Sequence, residues 1–420
     1  TYDNCYLKVA QGNLLHMQTN SSLTTVLVIG GGIAGPVVSL FLKKHGYHPI
    51  LFEKVQQLAD VGASLNCAPN GLKAFSTLNL SDDLIKCGGL IELISWRQSD
   101  GTILAENDFL KQVSQRYGFP FVGLKRSKLL AFLHAQVEGA NIEKHMGKKL
   151  INIEQTDSSV IAYFEDKTQF TGSFLIGADG LHSTVRQLLF GKDTVNYTGV
   201  TEIIGVSTRP TGLCSEKGVL LQIAGVGGHI VSYPFSETHC MYACSLEESA
   251  NPESWKTVSI EEMEEFKCKS KFSQWTEPTV RHLLQNTEKL MKIGIYDRDE
   301  LPIWYKERVI LIGDAAHGTS PHVGQGGNLA MEDAYYLTKM LPASGESYSL
   351  STSTLKTIFQ QFTDRRRPRT TEIVKRARKE GEDRVLNDVT ACKARDEARR
   401  NLFSTPASME IADRLYNIEL

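Results

Sequence analysis

The stretch Leu23-Thr24-Thr25-Val26-Leu27-Val28-Ile29-Gly30-Gly31-Gly32-Ile33-Ala34-Gly35-Pro36 runs from an apolar, β-branched segment straight into three glycines. The unbroken apolar run from Val26 to Ile29 predicts a parallel strand covered on both faces. Gly30, Gly32 and Gly35 fit G-x-G-x-x-G. In that pattern the first glycine permits a tight turn and the second lets the backbone approach a pyrophosphate. The third lets the following helix pack close to the strand. The helix is expected over about Ala34 to Lys44, with a stop near Gly46. Its N-terminal amides and dipole would face phosphates. Pro49-Ile50-Leu51-Phe52-Glu53 then reads as a second strand tipped by an acid. Glu53 follows the glycines by about 20 residues, where a carboxylate accepts hydrogen bonds from a ribose. Taken in order, these elements predict a dinucleotide-binding unit but do not choose the dinucleotide.

Two later stretches repeat the plan of a buried strand ending in small residues and an acid. Phe174-Leu175-Ile176-Gly177-Ala178-Asp179-Gly180 is the first, with Ser183, Thr184 and Arg186 at the expected start of a helix. On local grounds alone Asp179 also suits a turn or a cap. Arg308-Val309-Ile310-Leu311-Ile312-Gly313-Asp314 is the second, delivering Asp314 at a carboxyl end. Pro321-His322-Val323-Gly324-Gln325-Gly326-Gly327-Asn328 follows, rich in glycines that permit close backbone approach. A helix beginning near Asn328 would aim positive partial charge at its ligand, which suits the anionic end of a reduced flavin.

Together these stretches resemble the fingerprints of class A flavin-dependent monooxygenases, the group containing salicylate hydroxylase and many fungal natural-product enzymes, over roughly Val26 to Arg369. The resemblance implies FAD as cofactor, with its ADP half along Gly30, Gly32, Gly35 and Glu53. It implies that Asp179 supports both FAD and a passing nicotinamide, and that Asp314 and Gly327 hold the ribityl and flavin portion. Gly62 and Ala63 in Val61-Gly62-Ala63, Pro69-Asn70-Gly71, and Arg126 near the FAD phosphates complete the implied cofactor set. Pro321 matches the proline placed beside the reacting flavin edge. Backbone amides from Gly326 to Asn328 are implied to hold the flavin's negative charge, so Pro321, Gly326 and Asn328 form the implied catalytic set. Gly294-Ile295-Tyr296-Asp297-Arg298-Asp299 and Arg366-Arg367-Pro368-Arg369 resemble the salicylate hydroxylase branch.

The expected fold is α/β: a Rossmann-like FAD-binding domain, a second antiparallel-sheet substrate domain and C-terminal helices. The expected boundaries are a leader at 1–22, FAD-binding parts at 23–180 and 287–345, the substrate sheet at 181–286 and a helical segment at 346–420. Alternation at Val219 to Ile223, His229 to Tyr233 and Cys240 to Ser245 predicts hairpins. Gly225-Val226-Gly227-Gly228 reads as a hairpin turn rather than a second dinucleotide loop, since neither a buried strand nor a helix pattern flanks it. Without a second such unit, NADPH or NADH is expected to dock transiently as reductant. Thr371 to Asn401 predicts a solvated helix with Ile373, Ala377, Leu386 and Val389 on one packed stripe. His45, His48, His134 and His145 read as surface residues. His317 and His322 read as anchors of the glycine loop rather than metal ligands, and no metal site is expected.

The chain has 420 residues and a formal net charge of −2. That length suggests two regions sharing a crevice, and that charge argues against a nucleic-acid binder. Val26 to Leu42 is the segment nearest to a membrane span, but glycines and a proline interrupt it, so no span is expected. Scattered cysteines without a Cys-x-x-Cys pair suggest reduced thiols in a cytoplasmic protein. Met17 is a candidate natural start; oligomeric state is not legible.

The resemblance implies oxidation of an electron-rich aromatic or heteroaromatic small molecule by O2 through a flavin C4a-hydroperoxide, by hydroxylation or epoxidation. Several relatives carry a phenolate-binding arginine after a Tyr-Thr-Gly-like motif. Here the stretch is Tyr197-Thr198-Gly199-Val200-Thr201-Glu202-Ile203-Ile204-Gly205, and Ile204 stands at the arginine position. Indole-, polyketide- or terpenoid-type substrates of secondary metabolism are therefore favoured over a simple salicylate-type phenol. Arg209 is a shifted candidate for the missing arginine. The alternative outside enzymology is a flavin-binding scaffold without turnover.

Overall fold

The computed structural model describes residues 23–58, 64–192, 194–210, 218–249, 256–343 and 350–420. The leader at 1–22 and the expected site residues Gly62 and Ala63 lie outside them. Thr25–Ile29 sits inside a six-stranded sheet, in the order Tyr305–Lys306, Val309–Leu311, Phe174–Gly177, Thr25–Ile29, His48–Phe52, Glu143–His145. All pairs are parallel except the edge pair of Tyr305–Lys306 with Val309–Leu311. Val26, Leu27 and Val28 are fully buried, as a strand covered by helices on both faces demands. The Ala34–Lys44 helix supplies part of that cover, burying every residue from Ala34 to Leu42.

The register of these strands positions the site. Ile29 lies opposite Gly177, and Gly177 lies opposite Leu311. Each strand stops at the same level, so Gly30, Asp179 and Asp314 all emerge at one carboxyl edge. Ligands of open α/β sheets bind at that edge.

The second sheet has eight strands, in the order Lys256–Thr257, Thr287–Asp297, Asn196–Thr208, His239–Glu247, Gly228–Pro234, Val219–Gly225, Leu93–Gln98, Ile103–Asn107. Gly225 pairs with Gly228 across the Val226-Gly227 turn, the expected hairpin. The sheet extends beyond 181–286 at both ends. Leu93–Gln98 and Ile103–Asn107 come from the first FAD-binding part, and Thr287–Asp297 from the second. Leu93–Gln98 joins parallel to Val219–Gly225, a pairing between distant segments that local alternation cannot reveal.

The long helix runs from Thr352 to Arg384, starting well before Thr371 and passing through Pro368. Ile373 and Ala377 are buried as expected. Leu386 lies beyond the helix and Val389 is exposed, because Asp388 caps a new helix, Val389–Phe403, by accepting from Ala391 N at 2.7 Å. The long helix also delivers Arg366 into the core. Its Nη1 lies 2.6 Å from Glu332 and its Nε 2.7 Å from Asp333, with all three side chains buried. This pairing locks the Thr352–Arg384 helix onto the Gly326–Met340 helix.

Candidate active site

One cavity is lined by Gly30, Gly32, Glu53, Arg126, Asp179, Asp314, Gly326 and Gly327. The three acids expected to serve a single elongated ligand thus face the same space. Lys54, Lys148 and His182 also line it and were not singled out in the sequence; Thr184, expected only as part of a helix start, lines it too.

The glycine turn has the geometry that its spacing predicts. Gly30 has φ +114°, and a Cβ there would run into the Ala178 carbonyl, so only glycine fits. At Gly35 a Cβ would collide with the Gly30 carbonyl oxygen, which shows how tightly helix and turn pack. A Cβ on Gly32 would meet nothing within 4 Å, because this residue faces the open cavity. Glu53 grips the turn directly: its Oε2 accepts from Gly31 N at 2.6 Å and its Oε1 from Val55 N at 3.0 Å. The middle glycine of the triplet was the overlooked signal, since a Cβ there would strike the Glu53 side chain.

His134 corrects the expectation of a surface residue. It is buried, and its Nε2 donates to the Gly31 carbonyl at 2.8 Å. Burial holds this imidazole below its usual range, against the opposing pull of that carbonyl. The reason is its position on the Arg126–Gly139 helix, whose inner face buries Leu130, Leu133 and Val137.

Asp179 combines two roles. Its Oδ1 accepts from Ser183 Oγ at 2.5 Å and its Oδ2 from Val185 N at 3.1 Å, while the carboxyl still lines the cavity. Burial raises its pKa, with the Ser183 and Val185 bonds opposing. Arg126 lines the cavity with no hydrogen-bond partner for its guanidinium among the described residues. Burial lowers its pKa and the facing charge of Asp314 raises it. Asp314 is open to the cavity yet ringed by protein, which raises its carboxyl above the ordinary value, while His317 and Arg126 pull it down. An unpaired arginine beside two glycines that leave backbone exposed is a donor set suited to a pyrophosphate. The acids Glu53, Asp179 and Asp314 in the same lining suit sugar-like hydroxyls. The residues therefore fit FAD.

Gly326 begins the Gly326–Met340 helix, and Gly326 and Gly327 line the cavity at its N-terminus. The helix starts two residues earlier than Asn328. The Asn328 side chain is fully engaged as a clasp. Its Oδ1 accepts from Ala68 N at 2.9 Å, and its Nδ2 donates to Asn66 O at 3.0 Å and Gly324 O at 2.8 Å. Asn70 strengthens this junction through Gln325 at 2.8 Å and Glu332 at 2.5 Å. Pro321 is exposed at the head of the Pro321–Val323 3-10 turn. His317 Nε2 lies 2.6 Å from Asp333 Oδ2, the same oxygen that accepts from Gly313 N at 2.9 Å. His322 Nδ1 lies 3.0 Å from Ser320 Oγ, and its Nε2 lies 3.4 Å from Glu202.

Glu202 ties that loop to the large sheet. Arg384 bridges the two, from Nη1 to Glu202 at 3.3 Å and from Nη2 to His322 O at 3.2 Å. Burial opposes ionisation of Glu202, but His322 and Arg384 prevail and hold its pKa below the ordinary value. Two positions further along, Ile204 is buried in an apolar cluster with Val231, Tyr233, Met241, Ala243 and Met291. Arg209 lies just past the end of the Asn196–Thr208 strand. Its guanidinium donates to the Ser236 and Glu237 carbonyls at 3.5 and 3.4 Å, at the turn between Gly228–Pro234 and His239–Glu247.

A dinucleotide cavity at a parallel-sheet edge, closed by a glycine-loop helix beside a large sheet, is the architecture of an FAD-dependent monooxygenase. The chain belongs to the FAD binding domain family, whose model matches residues 23–377. It is similar to 3-amino-4-hydroxybenzoate 2-monooxygenase of Streptomyces cremeus, with 29% identity over 381 residues, 89% of this chain and 91% of that protein. It is also similar to aurachin C monooxygenase/isomerase of Stigmatella aurantiaca, with 28% identity over 327 residues, 77% of this chain and 82% of that protein. In fold it resembles Klebsiella pneumoniae HpxO complexed with FAD and uric acid, with a TM-score of 0.80 and 22% identity, covering 93% of this chain and 96% of that one. Among the described residues no helix is long and apolar enough to cross a membrane.

Proposed function

We propose that this enzyme uses NADPH or NADH and O2 to hydroxylate an electron-rich aromatic or heteroaromatic small molecule. The observation that carries the reading is the single cavity shared by the glycine turn, Glu53, Arg126 and Asp314. Gly30 and Gly32 would receive the pyrophosphate of FAD, with Gly35 packing the helix against the turn, and Glu53 and Arg126 would hold the adjoining ribose and phosphates. Asp314 would accept hydrogen bonds from the ribityl chain. Asp179 stands where the nicotinamide passes, and its Ser183 bond keeps the carboxylate oriented. The bound flavin supplies the electron and oxygen chemistry.

This chain's own contribution is charge placement and exclusion of water. Amides of Gly326 and Gly327 at a helix N-terminus favour negative charge on the ligand beside them. Asn328 acts as a positioning residue, fixing those amides through its three bonds. Pro321 would border the reacting edge of the flavin, and the sheet face around Ile204 and Tyr233 would face the substrate. Residues 23–180 and 287–345 serve chiefly the cofactor and 181–286 chiefly the substrate, with the strands Leu93–Gln98, Ile103–Asn107 and Thr287–Asp297 lent to the substrate sheet and 346–420 bracing both. Free thiols at Cys67, Cys240, Cys244 and Cys392 support a reducing, cytoplasmic setting.

The test is to purify the holoenzyme and measure NADPH and NADH oxidation with a panel of phenols, hydroxypyridines, quinolones and indoles, identifying products by mass spectrometry. A product heavier by one oxygen is expected for at least one member. NADPH oxidation at background across the panel, with FAD bound, would point to a scaffold without turnover.

A further inference from the structure

The face of the large sheet that carries Ile204 and Tyr233 also carries a polar patch. Trp96 is in register with Gln222 on the neighbouring strand, and His229 lies on the next strand. The Trp96 and His229 ring centroids are 5.7 Å apart. Trp96, Gln222 and His229 are 7%, 9% and 1% exposed. The Trp96 Nε1–H, the Gln222 Oε1 and both His229 nitrogens have no hydrogen-bond partner among the described residues. Buried polar atoms in native proteins are paired with protein, water or ligand, so a group of four on one face points to a partner outside the fold.

The patch is continuous with the flavin-side loop. His229 is in register with Ser245, and Ser245 with Glu202, which reaches His322 beside Pro321. Its charges are already answered. Arg384 pairs with Glu202, Arg395 with Asp396 and Arg399 with Glu380. The Arg399 guanidinium also covers the Trp96 ring at 4.8 Å. Burial and these arginines hold the His229 imidazole well below its usual range, so it presents one donor and one acceptor rather than a cation. A substrate carboxylate would find no uncommitted cation among these residues.

We propose that Trp96, Gln222 and His229 read the polar edge of the substrate, and that this edge is a neutral lactam-type heteroaromatic. The ring N–H donates to Gln222 Oε1, and the carbonyl, with its two lone pairs, accepts from Trp96 Nε1–H and from a His229 ring N–H. This deepens the monooxygenase reading and rests on it.

The test titrates the FAD-loaded enzyme with quinolin-2-one and, separately, 3-hydroxybenzoate, following the flavin absorbance change and the stimulation of NADPH oxidation. Quinolin-2-one is expected to bind at least tenfold more tightly. Gln222→Leu and His229→Phe are each expected to weaken it at least tenfold while FAD content and the melting profile stay as in the parent. Trp96→Phe, which keeps the ring but removes the donor, should do the same. Equal or tighter binding of 3-hydroxybenzoate, no binding of quinolin-2-one, or variants that bind it as the parent does would overturn the proposal; the last result would leave the patch holding buried water only. Failure to load FAD would instead count against the cofactor reading, which separates the two.

Discussion

Arg126 and Asp314 stand far apart in the chain, yet they line one cavity and each shifts the other's ionisation. In the proposed reading the pair links the phosphate portion of the cofactor to its flavin portion. Removing either charge should therefore be felt at both ends. Arg126→Met and Asp314→Asn are each expected to weaken FAD binding by at least tenfold, measured by fluorescence titration of FAD-free protein.

Gly30 and Gly32 should behave differently under the same substitution. Gly30→Ala strains a positive φ and drives a Cβ into the Ala178 carbonyl, so the fold itself should be destabilised, by about 1–3 kcal/mol. Gly32→Ala meets open space and should leave the FAD-free melting curve within about 0.5 kcal/mol of the parent. Its FAD affinity should still fall at least tenfold, because the added methyl occupies the ligand's approach. Equal effects of the two substitutions on the FAD-free melt would contradict the assigned roles.

Much of this site was legible because it is local. A strand, a glycine turn, a helix and a second strand occupy consecutive residues, so Gly30, Gly35 and Glu53 could be placed from spacing alone. The Val226-Gly227 turn was legible for the same reason. What escaped was long-range. Nothing near Trp96 shows that its strand pairs with Gln222, and nothing near His134 shows that it reaches Gly31. A lone histidine on a helix carries no sequence mark of which way it faces. The helix through Pro368 was also hidden, since a proline usually ends a helix, whereas here Arg366 and Arg369 bind Glu332 on either side of it.

Arg366 is held between Glu332 and Asp333 without access to water. Arg366→Met leaves two buried carboxylates short of a partner and should cost about 3–5 kcal/mol in urea unfolding. The same pairing explains the acid limb of stability. Burial raises the Asp333 pKa, but His317 and Arg366 outweigh it and bring it down to about 2. A folded value below the unfolded one gives stability that is present above about pH 4 and is lost as pH falls toward 2. In Arg366→Met that loss should begin at a higher pH.

His134 and His229 act in the opposite sense near neutrality. Both folded values lie below the ordinary imidazole value of 6.5. The unfolded chain therefore takes up more protons as the solution is acidified. The stability these residues contribute is full above about pH 6.5 and falls below it. Urea midpoints measured from pH 8 to 5 should decline, and His134→Gln, which retains a donor for Gly31, should flatten part of that decline.

Arg209 donates to the Ser236 and Glu237 carbonyls and lies just past the end of the Asn196–Thr208 strand that carries Ile204. Arg209→Ala should lower stability by about 1 kcal/mol and leave KM for the preferred substrate within about twofold. A large rise in KM would restore it as a substrate contact.

In the proposed site, distant loops converge on one flavin. The most direct measurement is the FAD content of the purified protein after reconstitution, read from the visible spectrum and from released cofactor. One FAD per chain is expected, with loss of that stoichiometry in Asp314→Asn at sub-saturating FAD. A colourless protein that takes up no FAD would contradict the account.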